Sequence, residues 1–335
     1  MAAAQLPFGK RLTVKTSWPT WKILSLIGLF FIITIPLGAV LGVVYSRKNH
    51  VSDDHDHASN KSHNKTEIWQ PKVGESWQIV LLNPIAIDDD GKVEPNVTIY
   101  DVDLFDNDAD TLKALHKTGK KVICYFSAGS YEDWRDDEYQ FEEAHLGKEL
   151  EGWPGERWVD VRNRTVRDIM KKRIEDAAKK GCDAIDPDNV DGFQNDNGLD
   201  LTHEDAVDFV KFLSETAAAY NMSTGLKNAG DIIPDVLDFV HFSVNEQCIE
   251  YSECETFAAF IKDGKPVFNI EYPAGAPNRV PDSVVDAICG NSGNATGTED
   301  FSTAIKKMNL DGWVQYCDEG SYTTDLTSSS LKGLL

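Results

Sequence analysis

Apolar positions fall into two regimes along the chain. Residues 23–45 form one apolar run of 23 residues without a charge. That is long enough to cross a hydrocarbon core of ~30 Å as a single helix, and longer than the apolar stretch of a cleaved signal peptide. Pro36 lies inside the run and is tolerated in a membrane helix. Beyond residue 77 the pattern changes to short apolar runs alternating with helix-period segments. Strands are predicted at 77–82, 98–103, 122–127, 184–188, 224–228, 239–244, 267–272 and 312–317. Helices are predicted at 109–118, 166–180, 203–220, 254–262 and 301–308. The crossovers after the first and fifth strands are weak, with 232–237 offering only a short helix. Eight strands with helical crossovers predict an α/β chain, a (β/α)8 TIM-type barrel preceded by one N-terminal transmembrane helix. A doubly wound open sheet is the competing architecture. No GxGxxG or Walker motif follows an early strand, which argues against a nucleotide-binding version.

These regimes divide the chain into a cytoplasmic tail (1–22), a transmembrane helix (23–45), a flexible stalk (46–72) and a barrel domain (73–335). Lys10, Arg11, Lys15 and Lys22 precede the apolar run and only Arg47 and Lys48 closely follow it. The positive-inside rule then places the N-terminus in the cytosol and the body outside, a single-pass type II arrangement at the cell membrane. Trp18, Trp21 and Tyr45 suit the two bilayer interfaces. The stalk carries His50, His55, His57 and His63, at spacings that match no defined metal site.

Charge sharpens the division. The chain carries 33 Lys and Arg against 55 Asp and Glu, a net −22. Residues 1–48 hold six basic residues and no acid, which leaves −28 for the remainder. So acidic a body argues against a nucleic-acid partner, since phosphate contacts need a basic face. Long-range attraction favours a cationic partner, although surface acid also serves solubility. Sequons begin at Asn60, Asn64, Asn96, Asn163, Asn221 and Asn294, all after the apolar run. The six cysteines also lie in the body, which fits an oxidising compartment. Cys248 with Cys254 is the easiest local closure, and Cys289–Cys317 with Cys124–Cys182 is the pairing that remains.

Barrel chemistry sits at the C-terminal ends of strands. There the second predicted strand presents Asp101, Asp103 and then Asp106, and the third presents Tyr125 and Ser127. The fourth gives Asp186 and Asp188, followed by Asn189 and Asp191; the fifth gives Lys227 and Asn228. The sixth gives Asn245 and Glu246, the seventh Glu271 and Tyr272, the eighth Gln315 and Tyr316. Converging carboxylates with aromatic residues describe a sugar site, above all for a positively charged sugar. Cutting a glycosidic bond needs two carboxyl groups, and Asp188 with Glu246 is the leading pair. Asp188 is short, in an acidic turn beside Asn189, and suits a nucleophile. Glu246 follows a more apolar approach, and desolvation there is expected to raise its pKa, as an acid/base requires. Asp186 is an alternative nucleophile, and an acidic turn or a calcium loop is the bland reading of the 186–191 cluster. A Schiff-base role for Lys227 is the rival chemistry. No Gly-x-Ser-x-Gly elbow and no His-Glu-x-x-His helix is present.

Five segments, 122–130, 186–191, 225–229, 245–248 and 267–272, together resemble glycoside hydrolase family 114. The resemblance runs from about residue 77 to 316, with the motifs in order. It implies a barrel fold and endo-α-1,4-polygalactosaminidase activity. The membrane-anchored form is similar to fungal members that act on galactosaminogalactan, a partly deacetylated cationic polymer. It further implies Asp188 as nucleophile and Glu246 as acid/base of a retaining mechanism, with no cofactor and no metal. Asp103, Asp106, Tyr125, Ser127, Asp186, Asn189, Lys227, Asn228, Glu271, Tyr272 and Tyr316 are the expected substrate contacts. One departure is Asp186, where many relatives carry Glu. A non-catalytic carbohydrate-binding barrel and an exo-acting α-galactosidase-like enzyme are the alternative functions.

Overall fold

The computed structural model describes residues 68–88, 91–277, 280–318 and 320–327. The predicted cytoplasmic tail, the membrane span at 23–45, nearly all of the stalk, and the sequons at Asn60 and Asn64 lie outside the described residues. Among the described residues no helix is long and apolar enough to cross a membrane.

Eight parallel strands follow one another around a curled sheet: β1 (Trp77–Val80), β2 (Ile99–Asp103), β3 (Lys121–Ser127), β7 (Ala184–Asp188), β8 (Ser223–Lys227), β9 (Phe242–Glu246), β10 (Val267–Glu271) and β11 (Ser302–Ile305). Two antiparallel strands, β12 (Trp313–Tyr316) and β13 (Ser321–Thr323), extend the sheet to ten. Spatial order equals chain order with no reversal, which excludes the doubly wound alternative. The architecture is mixed α/β and TIM-like. Side chains bridge the first and eighth parallel strands: Trp77 Nε1 donates to Ser302 O at 2.8 Å, and Lys306 Nζ to Ile79 O at 2.7 Å.

Two apolar layers follow from strand alternation. Ile79, Ile99, Ile123, Phe242, Val244, Phe268 and Ile270 fill the inside of the curl, and the alternate positions pack outward on the helices. Gly225 makes room inside, because a Cβ there would lie 2.5 Å from the Phe242 ring. The helices are α1 (Ala109–Lys117), α2 (Arg164–Lys180), α3 (His203–Ala218), α4 (Ile233–Val236), α5 (Cys248–Tyr251), α6 (Cys254–Lys262) and α7 (Asp282–Cys289). In α2, Val166, Ile169, Met170, Arg173, Ile174 and Ala177 form one buried stripe. Asn163 caps its start and Gly181, left-handed at φ 98°, ends it. Thr202 and Asp205 form a capping box on α3.

Three sequence expectations change. Residues 301–308, expected as a helix, hold β11; Thr303 and Ile305 are β-branched and Ala304 fills the interior, so the segment is buried on two faces. The expected eighth strand, 312–317, is β12, which runs antiparallel to β11. The sixth strand begins at Phe242 rather than 239, because Phe239 still closes the turn after α4. An insertion between β3 and α2 carries a second, three-stranded antiparallel sheet, β4 (Ser130–Glu132), β6 (Glu156–Val159) and β5 (Leu146–Glu149), that the pattern did not announce. The three disulfides are those expected: Cys124–Cys182, Cys248–Cys254 and Cys289–Cys317.

Candidate active site

Alternation sends Asp186 and Asp188 of β7, Lys227 of β8 and Glu246 of β9 toward the inside of the curl, on the same face as Ala184, Phe242 and Val244. Each of these strands ends in a non-glycine left-handed residue directly after its functional side chain: Asn189 (φ 60°), Asn228 (φ 49°) and Gln247 (φ 60°). Such conformations are rare and cluster at functional sites. Here they turn the chain sharply away and leave Asp188, Lys227 and Glu246 at the mouth.

Lys227 organises the cluster. Its Nζ lies 3.4 Å from Asp188 Oδ2 and 3.4 Å from Glu246 Oε2, with the lysine side chain 1 % exposed. Burial alone would lower its pKa. The charges of Asp188, Glu246, Asp186 and Asp101 outweigh that and raise it above the ordinary lysine range. Asp188 accepts from Tyr125 OH at 3.0 Å and from the Asn189 N–H at 2.7 Å. Glu246 accepts from Tyr272 OH and from Asn228 Nδ2 at 3.2 Å, while its own N–H donates to Asn228 Oδ1 at 2.9 Å. Burial pushes the Glu246 carboxyl up, but Lys227, Tyr272 and Asn228 together win, and its pKa is lowered. The expected rise for Glu246 is therefore corrected: its partners outweigh its desolvation. Burial and the neighbouring carboxylates raise both tyrosines, keeping them O–H donors.

Asp188, Glu246, Tyr125, Tyr272, Asn189 and Asn228 are all partly exposed, so the mouth is open to a ligand. Four other expected contacts are buried in this structure. Asp186 is 0 % exposed beneath Lys227. Asp103 is 2 % exposed and gripped by Arg135 through two hydrogen bonds, of 3.1 and 2.7 Å. Ser127 is buried and bonded to Ser130, and to Asn189 Nδ2 at 2.9 Å. Glu271 has the outward parity of β10. Its Oε1 takes the Ile249 N–H at 2.9 Å and so fixes the start of α5, and burial pushes it to about 7. Tyr316 lies away from the cluster. Because β12 runs antiparallel, this residue lies across from Ala304 and its hydroxyl donates to Trp77 O at 2.6 Å, at the opposite end of β1 from the site. Asp106 is exposed on the turn after β2, raised by burial and by Asp103, and makes no hydrogen bond to the cluster. Asp191 is likewise raised, to about 6, by burial and the charge of Asp188.

Several residues were not among the expected contacts. Asp101 shares the inward parity of Ile99 and is fully buried under the cluster. Alternation is the signal that finds it and rejects Glu271, but both faces of these strands are apolar, so the parity was ambiguous. The insertion supplies the others. Ala128 and Gly129 donate to the Asp188 carbonyl at 2.9 and 3.0 Å, and a Cβ at Gly129 would sit 1.7 Å from Asn189 O. Glu156 accepts from Ser130 at 2.9 Å; burial and Glu132 push its carboxyl to about 7. Arg173 of α2 ties the same region down, bonding Ser127 O at 2.7 Å and both oxygens of Asp137.

The family model described as glycoside-hydrolase family GH114 matches residues 58–322. A solved structure of Ega3 from Aspergillus fumigatus, in complex with galactosamine, is 52 % identical. It covers 75 % of this chain and 98 % of its own, with a TM-score of 0.70. The glycoside hydrolase domain of PelA from Pseudomonas aeruginosa is 14 % identical over 70 % of this chain and 95 % of its own, with a TM-score of 0.51, a likeness of fold alone. No curated protein sequence matches the chain.

Proposed function

The chain belongs to glycoside-hydrolase family GH114, and we propose on that premise that it is an endo-acting, retaining hydrolase of α-1,4-galactosaminidic bonds. Its substrate is a cationic, partly deacetylated galactosamine polymer of the galactosaminogalactan type. The galactosamine bound to the Ega3 relative and the acidity of this body support that substrate.

The observation that carries the mechanism is the shared contact of Lys227. Asp188 Oδ2 and Glu246 Oε2, each 3.4 Å from one Nζ, are no farther apart than twice that distance. That bound on the nearest oxygens is compatible with the ~5–5.5 Å carboxyl separation of retaining enzymes. In the first step an Asp188 oxygen attacks the anomeric carbon while Glu246 gives its proton to the leaving oxygen. In the second, Glu246 takes a proton from the water that displaces Asp188. Tyr125 and the Asn189 N–H hold Asp188 in line, and Tyr272 and Asn228 hold Glu246. Since Glu246 must carry a proton and its pKa is lowered, activity is expected to be highest on the acidic side of neutrality.

The same reading makes the protein a type II membrane protein, anchored through residues 23–45 in the lipid bilayer with its catalytic body outside the cell. Pairing of all six cysteines supports an oxidising compartment. Protease treatment of intact cells should release the body; protection of it would overturn the topology.

Mass spectrometry of products from deacetylated and acetylated polygalactosamine tests the activity. The expected result is a ladder of oligosaccharides from the deacetylated polymer. Asp188→Asn and Glu246→Gln should each cut the rate by roughly 10³-fold or more without unfolding. Monosaccharide as the sole product would favour an exo-acting enzyme, and binding without cleavage a lectin-like barrel.

A further inference from the structure

Below the mouth the curl holds two carboxyl groups for which the mechanism has no use. Asp101 on β2 and Asp186 on β7 are each 0 % exposed, and none of their four oxygens has a hydrogen-bond partner among the described residues. Their neighbours two residues on are well served. Asp103 has Arg135 and two backbone N–H groups, and Asp188 has Tyr125, Asn189 and Lys227. Around the pair lie Ile79, Ile99, Ile123, Ala184 and Ala304. Buried carboxyl groups without partners are rare and need a physical explanation.

The facing charges can be named strand by strand. Tyr125 comes from β3, Asp188 from β7, Lys227 from β8, Glu246 from β9 and Tyr272 from β10. From the β1–β11 side comes Lys306, whose ammonium turns to Gln78, Ile79 and Asp311. Four carboxylates thus share Lys227. Among the described residues no group of His, Cys, Asp and Glu is arranged to hold a metal ion. Asp101 and Asp186 are within hydrogen-bonding reach of each other, so a proton between them gives each carboxyl the partner it lacks.

We propose that Asp101 and Asp186 are positioning residues: as a protonated, mutually hydrogen-bonded pair they floor the site and leave the Lys227 ammonium to Asp188 and Glu246. Ionisation of the pair adds a negative charge below Lys227 and draws the ammonium down, away from both catalytic oxygens. Burial raises both carboxyls, Asp101 well above the usual range and Asp186 to about 7, so the change falls near neutrality. This deepens the glycosidase reading and rests on it for its kinetic consequence only.

Two measurements on the full-length chain test the pair. Infrared difference spectroscopy follows the carboxylic-acid C=O band across pH. The expected result is a component of the protonated-carboxyl signal, beyond that of Glu156 and Glu271, that persists past pH 6 and is lost in both Asp101→Asn and Asp186→Asn. A signal unchanged in both variants overturns the pairing, whatever the enzyme's substrate proves to be. Kinetically, kcat/KM on deacetylated polymer falls with rising pH in both proteins as Glu246 loses its proton, and the wild type should lose about tenfold more than Asp186→Asn, neutral at every pH, between pH 6.5 and 8. A merely structural role would lower stability and leave the profile where it was, and that result also overturns the proposal. A wild-type chain that cleaves no galactosamine polymer would count against the glycosidase reading, while the infrared titration still decides the pair.

Discussion

Two lysines are buried inside the same curled sheet, and their surroundings have opposite effects on them. Lys227 stands at the mouth among Asp101, Asp186, Asp188 and Glu246, whose charges raise its pKa in spite of burial. Lys306 lies at the seam between β1 and β11. Its Nζ meets only neutral acceptors, Gln78 Oε1 at 3.0 Å, Ile79 O at 2.7 Å and Asp311 O at 2.7 Å, and burial pushes its pKa well below the usual lysine range. Burial is common to both, so burial does not mark the site; the charge of the partners does. The seam lysine replaces backbone pairing where the sheet meets itself. The mouth lysine contacts two carboxylates, Asp188 and Glu246, at 3.4 Å each.

The largest expected effect comes from Lys227→Met, which leaves four acids without a cation. Breaking such a buried ion pair costs about 3–5 kcal/mol. At pH 8 the melting temperature should fall sharply, and less at pH 5, where protonation relieves the repulsion. Turnover should drop by about 10²–10³-fold at either pH. Equal destabilisation at both pH values would break the electrostatic half of the comparison.

Lys306→Met removes the donor to Ile79 O, Asp311 O and Gln78 Oε1, the last of which keeps the Ile79 N–H, at a cost of roughly 1–3 kcal/mol. Denaturant unfolding should show that loss, with kcat/KM at low temperature within about twofold of wild type. A turnover defect as deep as that of Lys227→Met would erase the distinction between seam and mouth.

Tyr272→Phe is a gentler probe. It removes the O–H that bonds Glu246 Oε1, one of the contacts that lower that carboxyl. The Glu246 pKa should rise, so the fall in kcat/KM with increasing pH moves to higher pH, with a loss of about tenfold at the optimum. A shift to lower pH would mean that Tyr272 does not stabilise the carboxylate.

The smallest effect is on stability against pH. Asp186, Glu156 and Glu271 are pushed to about 7 in the fold, whereas unfolded carboxyls titrate near ~4. Between those values the folded state holds more protons, so these groups reduce stability as pH rises from about 4 to about 7. Lys306 acts in the other direction, because below the ordinary lysine pKa of ~10.4 the unfolded chain binds a proton more readily there. The denaturant midpoint should therefore be modestly lower at pH 8 than at pH 5. The decline should steepen in Lys306→Met.

Much of this site was legible because its residues end strands. The runs at 122–127, 184–188 and 267–272 carried Tyr125, Asp188 and Tyr272 to within a residue of where the structure holds them. Glu246 was placed beyond a strand that in fact contains it, a shift of two residues that keeps it at the C-terminal end of that strand. The losses came from parity and direction. Glu271 and Asp101 exchanged places in importance because a strand buried on both faces hides which side chains point inward. Tyr316 was lost because a strand signal carries no arrow: β12 has the composition of a barrel strand and runs the other way. Residues 301–308 misled because a short segment buried on two faces fits helix and strand periods alike. The insertion at 128–163 is rich in charge and short in apolar runs. Its role is set by contacts such as Gly129 against Asn189, which depend on the distant β7 turn.

The sequence by itself determined the alternation of strands and helices, the acidity of the body, the even number of cysteines within it and the carboxyl groups at the strand ends. Each of these is written in local period, composition or spacing, which a chain carries before it folds. Only the tertiary structure decided which acids face each other. Lys227 lowers Glu246 against the rise its burial would impose, and Asp186 withdraws beneath the mouth instead of lining it. Both outcomes are sums of charges brought within a few ångströms from strands dozens of residues apart, where desolvation and Coulomb attraction nearly cancel. No local pattern records which of them wins.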